Sequence, residues 1–120
     1  WFSDDYREQN PEMMNLVRGW VMKNDPKVYP KIYEVLVSGL EEISAPNPKL
    51  SCPALVITAD EDFGNGPKMS EAIASEIPNS KLVILKGLRH MALAEAPNVV
   101  NEPIKEFLSR VTKDKLTNGE

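Results

Sequence analysis

Asp62 and His90 are the residues whose types and placing point most directly to chemistry. Asp62 follows an apolar run, Ala54-Leu-Val-Ile-Thr-Ala59, across the acidic step Asp60-Glu61. His90, the single histidine, follows a second run, Lys81-Leu-Val-Ile-Leu-Lys86. An acid and then a histidine, each just past the end of a buried strand, is the order of the last two members of a Ser–Asp–His triad. There the histidine takes a proton from a nucleophile and hands it to the leaving group. The acid orients the ring and stabilises its charged form. The nucleophile itself, a serine on a G-x-S-x-G turn, is absent from these 120 residues, since Ser38-Gly39 follows Leu36-Val37 and is no such turn. The residue types leave other readings open: a packed loop histidine, an acidic turn capping the next helix, and Asp60 in place of Asp62 as the acid. Asp60, Asp62 and Glu71 also stand at the first, third and twelfth positions of a calcium loop, but Gly64 at the fifth and Asn65 at the sixth do not suit one.

Two kinds of chain must position this pair. Residues 1 to about 44 read as helical. Asn10-Pro11 and Asp25-Pro26 each combine a capping residue with a proline suited to a first turn. Met13, Met14, Leu16, Val17, Trp20, Val21 and Met22 wrap apolar surface around much of the first helix, as in a piece packed on several sides. Pro30 comes too late for an uninterrupted first turn, which predicts a turn at 26–29 and a helix from 30 to about 42, with Ile32, Val35, Leu36 and Leu40 as its stripe. Pro46, Pro48 and Pro53 make 43–53 an extended connector.

The pattern then becomes strand, helix, strand, helix. Two nearly all-apolar runs suit strands covered on both faces. Asn65-Gly66-Pro67 opens a helix to about Ile77 with Met69, Ala72, Ile73 and Ile77 inward. Glu95-Ala96-Pro97 opens a last helix with Val99, Val100, Ile104, Phe107, Leu108 and Val111 inward, kinked or restarted near Pro103. From Thr112 the chain is polar and expected to fray. Strand, helix, strand in about 33 residues is a parallel unit with a right-handed crossover. Two parallel strands need further neighbours, so other chain, or a second copy, is expected to complete the sheet.

Several stretches in order resemble the C-terminal end of an α/β-hydrolase: Cys52-Pro53-Ala-Leu-Val-Ile-Thr-Ala-Asp-Glu-Asp62, Ala74-Ser-Glu-Ile-Pro-Asn-Ser80, Gly87-Leu-Arg-His-Met91, Glu95-Ala-Pro97 and Phe107-Leu108. Ala59 stands where that family usually has glycine, and Pro103 is unusual in its last helix. Trp1-Phe2 and the following Asn-Pro-Glu are similar to caps of oxoadipate enol-lactonases and related esterases. The resemblance implies an α/β fold with 1–44 as part of a helical cap, 45–53 a connector, 54–112 the C-terminal part of the hydrolase core and 113–120 a polar tail. It selects Asp62 as the acid and His90 as the base. It implies cleavage of an ester, lactone or similar bond in a small-molecule substrate, by a triad whose serine lies outside this chain, with no cofactor and no metal. This chain alone is expected to give no meaningful turnover. The alternatives are a non-catalytic hydrolase-fold binding protein and a self-associating fragment, with the missing N-terminal half or a second copy as partner.

Composition bounds the rest. The chain is 42% apolar and 27% charged, with net charge −4 and no basic block, which argues against a nucleic-acid partner. No apolar run approaches the roughly 20 residues that span a bilayer, so no membrane is expected. Cys52, the single cysteine, permits no intrachain disulfide and reads as structural. Trp1, Phe2, Met13, Met14 and Trp20 read as helix packing, with pocket lining as the alternative. No signal-peptide pattern opens the chain, and a cytoplasmic location is expected. Trp1 is not an initiator methionine, so any address upstream of it is left open.

Overall fold

A computed structural model describes residues 1–43 and 50–118. Its chain forms two compact units, Trp1–Ser3 with Ser51–Glu120, and Asp4–Leu50. The sequence treats 1–44 as one helical region, whereas Trp1–Ser3 group with the strand-bearing unit. Pro46 and Pro48 of the connector lie outside the described residues.

The Asp4–Leu50 unit contains α1 (Asp4–Gln9), α2 (Pro11–Met22) and α3 (Tyr29–Ile43). Pro11 takes the first position of α2, where its missing N–H costs nothing. The Asn10 side chain does not cap α2. It donates back to the Tyr6 carbonyl at 3.0 Å and closes α1 instead. Asp25 organises the expected turn: its carboxylate accepts from the Lys27 amide at 2.7 Å and its carbonyl from the Val28 and Tyr29 amides. This lets α3 begin at Tyr29, with Pro30 in its first turn. No residue of α2 is buried, and Ile32, Val35 and Leu36 of α3 are exposed. The apolar surface read from the sequence is therefore real but unpacked within this unit.

In the other unit β1 (Ala54–Ala59) and β2 (Ser80–Leu85) pair in parallel, from Ala54 opposite Ser80 to Ala59 opposite Leu85. α4 (Pro67–Glu76) connects them and packs on both. After β2 come α5 (Ala92–Glu95), a single turn that the sequence did not signal, and α6 (Pro97–Asn118). The core gathers at the carboxyl ends of the strands, from Ala59, Leu85, Leu88, Ala92 and Val100, with Ile57, Val83, Ala96 and Ile104 against it. Elsewhere Leu55, Val56, Leu82 and Ile84 are only half-buried, so two-sided cover is incomplete.

Three helical expectations are corrected. α4 turns Ser70, Ala74 and Ile77 toward the interior, while Met69, Ala72 and Ile73 are exposed. Met69 and Ile73 are each one residue, about 100° of helix rotation, from that inward line. In α6, Val100 is buried, but Val99 and Leu108 are exposed. Finally, α6 does not restart at Pro103 but continues as one helix to Asn118, beyond Thr112. A proline removes one amide and crowds one preceding carbonyl, which a long helix anchored on both sides can absorb.

Candidate active site

Each acid of the Asp60-Glu61-Asp62 turn has a separate partner. The backbone first ties the two strand ends together, as the Asp60 amide donates to the Leu85 carbonyl at 2.9 Å and the Glu61 amide to the Leu88 carbonyl at 3.1 Å. The Asp60 carboxylate then accepts from the Gly87 amide at 2.8 Å and lies 3.6 Å from the Lys86 ammonium. Gly87 has φ of +67°, which glycine adopts without the clash a Cβ would bring. Glu61 faces the Arg89 guanidinium at 3.4 Å.

Asp62 alone of the three reaches the histidine. One carboxylate oxygen, Oδ2, is 2.9 Å from His90 Nδ1. The other, Oδ1, accepts from the amides of Gly64 at 2.9 Å and Asn65 at 3.0 Å. The Thr58 hydroxyl, buried at the end of β1, donates to the Asn65 carbonyl at 2.8 Å and fixes the far side of this loop. Gly66 completes the turn, since a Cβ there would lie 2.4 Å from the Asp62 carbonyl oxygen.

Burial acts to raise the Asp62 pKa. The hydrogen bonds from Asn65, His90 and Gly64, together with the charge of the ring, outweigh it and hold the carboxyl below its usual 3.8. An ionised carboxylate accepts only, so Nδ1 carries the hydrogen of this contact and Nε2 of the neutral ring is left as an acceptor. The Asp62 side chain is 10% exposed and the His90 side chain 46%. A sheltered acid thus holds an accessible ring.

Among the aromatic and methionine candidates, the structure brings Trp1 to the pair. Its ring centroid is 6.3 Å from that of His90. Phe2 is buried. Met13, Met14 and Trp20 belong to the Asp4–Leu50 unit, where Met14 helps line a groove of about 550 Å³. Arg89, which the sequence offers as a surface residue or a supporting neighbour of His90, lies with its guanidinium carbon 5.8 Å from the centre of the Phe63 ring. Cys52 is exposed just before β1, away from the carboxyl ends of the strands. Asp60, Asp62 and Glu71 do not converge. Among the described residues no three His, Cys, Asp or Glu side chains are grouped to hold a metal ion. No helix among them is long and apolar enough to cross a membrane.

No protein-family model and no curated protein matches the chain. Solved structures do. A thermophilic esterase is 38% identical over 52% of this chain and 25% of its own, with a TM-score of 0.51. A malate-bound thermophilic esterase from Thermogutta terrifontis is 33% identical over 61% of this chain and 25% of its own, again with a TM-score of 0.51. The enol-lactonase from Burkholderia xenovorans LB400 is 24% identical over 91% of this chain and 41% of its own, with a TM-score of 0.68. The chain thus spans a quarter of the length of the two esterases and about two fifths of that of the enol-lactonase. With its parallel strand pair and these esterase and enol-lactonase neighbours, the chain carries part of an α/β-hydrolase fold.

Proposed function

We propose that this chain is the C-terminal part of a hydrolase that cleaves an ester, lactone or similar bond of a small molecule. In this reading His90 is the general base, Asp62 orients it, and a serine from chain outside these residues is the nucleophile. The observation that carries it is the 2.9 Å contact of His90 with the sheltered Asp62, just past the carboxyl ends of two parallel strands. Open α/β sheets meet their ligands at that end. With Nδ1–H directed to Asp62, Nε2 accepts the serine proton as the hydroxyl attacks the carbonyl carbon. It then gives that proton to the departing oxygen, leaving an acyl-enzyme. Water repeats the cycle in reverse order and frees the acid. Three hydrogen-bond donors keep Asp62 ionised against the opposing effect of burial, so it stabilises the imidazolium formed at each transfer.

The test is His90→Ala in the protein that joins this chain to its serine-bearing segment. Turnover of a p-nitrophenyl ester should fall by about 10³-fold or more. A fluorophosphonate probe should label one serine of the unsubstituted protein. Unchanged turnover in the variant sinks the proposal. Ligand binding without any turnover in either form would instead support a non-catalytic receptor on the same fold.

A further inference from the structure

The neighbours of His90 on both sides are tied to one short segment. The Met91 amide donates to the Trp1 carbonyl at 2.8 Å. The Arg89 guanidinium donates to the Phe2 carbonyl at 3.0 Å. Two further bonds close the segment at its other end. The Ser3 amide donates to Glu95 Oε2 at 3.1 Å, and the Ser3 hydroxyl donates to Glu95 Oε1. Between these ties, Phe2 is buried to 3% exposure and the Trp1 ring lies beside the His90 ring. Sequence separations of 87 and 92 residues make these tertiary contacts. Trp1–Ser3 accordingly group with the strand-bearing unit, while the chain from Asp4 onward forms another.

The geometry points to Trp1–Ser3 as a clasp that positions His90 on Asp62. The inference rests on the reading of His90 as general base and adds positioning residues to it: Ser3, Glu95 and Arg89. The need for a clasp follows from the local backbone. His90 lies between β2 and the single turn α5, outside any ladder of regular hydrogen bonds. Asp62 is fixed by its own loop through Gly64, Asn65 and Thr58. The ring side has turn bonds of its own, from the Ala92 amide to the Arg89 carbonyl and from the Ala94 and Glu95 amides to the Met91 carbonyl, and Arg89 also faces Glu61. The ring side is held through Arg89 and Met91, and these are anchored on the segment that Glu95 grips. A base displaced by about 1 Å loses much of its effect, so these contacts act on the reaction without touching substrate.

His90 is the only histidine of the chain, so ¹⁵N-histidine labelling of the 120-residue protein reports one ring. Long-range ¹H–¹⁵N spectra are recorded at about pH 9, where an ordinary imidazole is neutral. The unsubstituted protein should show the Nδ1–H tautomer. Glu95→Ala should shift the ring toward the Nε2–H tautomer and speed exchange of the Nδ1 proton about tenfold, the effect of losing one net hydrogen bond. Ser3→Ala, a milder change that keeps the carboxylate, should move the same signals less. Glu95→Gln, which keeps an acceptor for Ser3, should restore most of the effect. Unchanged ring signals in folded Glu95→Ala, or in Ser3→Ala where the first variant does not fold, overturn the clasp. A normal starting tautomer with unmoved variants contradicts the clasp alone. Absence of the Nδ1–H tautomer in the unsubstituted protein overturns the Asp62–His90 pairing and the clasp with it.

Discussion

Asp60 and Asp62 are two residues apart and carry the same group, yet their surroundings assign them different work. Asp60 is a strut between strand ends, through Gly87 and Lys86, while Asp62 receives three donors, one of them the His90 ring. On the proposed reading, Asp62→Asn should lower turnover of the serine-containing protein by about 10³- to 10⁴-fold, because an amide can donate to Nδ1 and hold the wrong tautomer. Asp60→Asn should leave turnover within about tenfold and instead lower stability by about 1 kcal/mol, since it weakens one charge-assisted bond. Steady-state kinetics and urea melts on both variants check this. The lowered Asp62 pKa also fixes a pH dependence. The native state holds this carboxyl ionised to lower pH than the unfolded chain does, so it binds fewer protons. Its stabilising contribution is complete above the ordinary value of 3.8 and is lost as pH falls through the lower folded value. Urea midpoints between about pH 6 and pH 2 should fall more steeply for the unsubstituted protein than for Asp62→Asn. Equal slopes would contradict the shift. At this scale the sequence left Asp60 and Asp62 as rivals, because both stand past the same strand. Their hydrogen-bond partners come from the other strand end and from the loop's own amides, neither of which spacing specifies.

The loops after β1 and β2 use two glycines for different reasons. At Gly66 the obstacle is space, with the Asp62 carbonyl 2.4 Å from any added Cβ and an ordinary backbone φ of −77°. At Gly87 space is open and the obstacle is the φ of +67°. Gly87→Ala should therefore cost about 1–2 kcal/mol from conformation. Gly66→Ala should cost about 1–3 kcal/mol from overlap, and it should also disturb the Asp62–His90 contact. Urea unfolding with the His90 ring signal as a second readout separates the two. A ring signal that moves for Gly87→Ala but not for Gly66→Ala would refute this division. Ala59 needs no such freedom, since no residue other than glycine has positive φ among those described. The kinds and order of the longer elements were legible from periodicity and from the Asn-Pro, Asp-Pro and Gly-Pro starts, while α1 and the single turn α5 were not. The inward faces of α4 and α6 were less so. A helix with apolar residues on adjacent lines offers two faces, and contact with the sheet selects one.

Across the whole molecule, apolar surface lies uncovered in both units. Met22, Val35 and Leu36 in one unit, and Phe63, Leu93 and Leu108 in the other, are exposed, and Phe63 reaches 90%. Both outer edges of the two-stranded parallel sheet lack a partner strand among the described residues. Patches and edges of this kind mark surfaces that other chain covers. On the proposed reading that cover is the remainder of the hydrolase. Sedimentation of the 120-residue chain alone should show association that grows with concentration, and addition of the serine-bearing segment should suppress it. A monodisperse monomer throughout, indifferent to that segment, would contradict the expectation.

The sequence by itself determined the succession of the main helices and the two strands, the parallel pairing, and the placement of an acid and a histidine just past two strand ends. These follow from local propensity and from the short reach of a strand–helix–strand unit. The tertiary structure shows the contact itself, with Asp62 and not Asp60 on the ring, where residue types left both open and only the resemblance favoured Asp62, and it decided which helix faces turn inward. It also decided that Trp1–Ser3 lie against the loop that carries His90. Each of these is a contact between residues far apart in the chain, fixed by packing and hydrogen-bond geometry that no local pattern encodes.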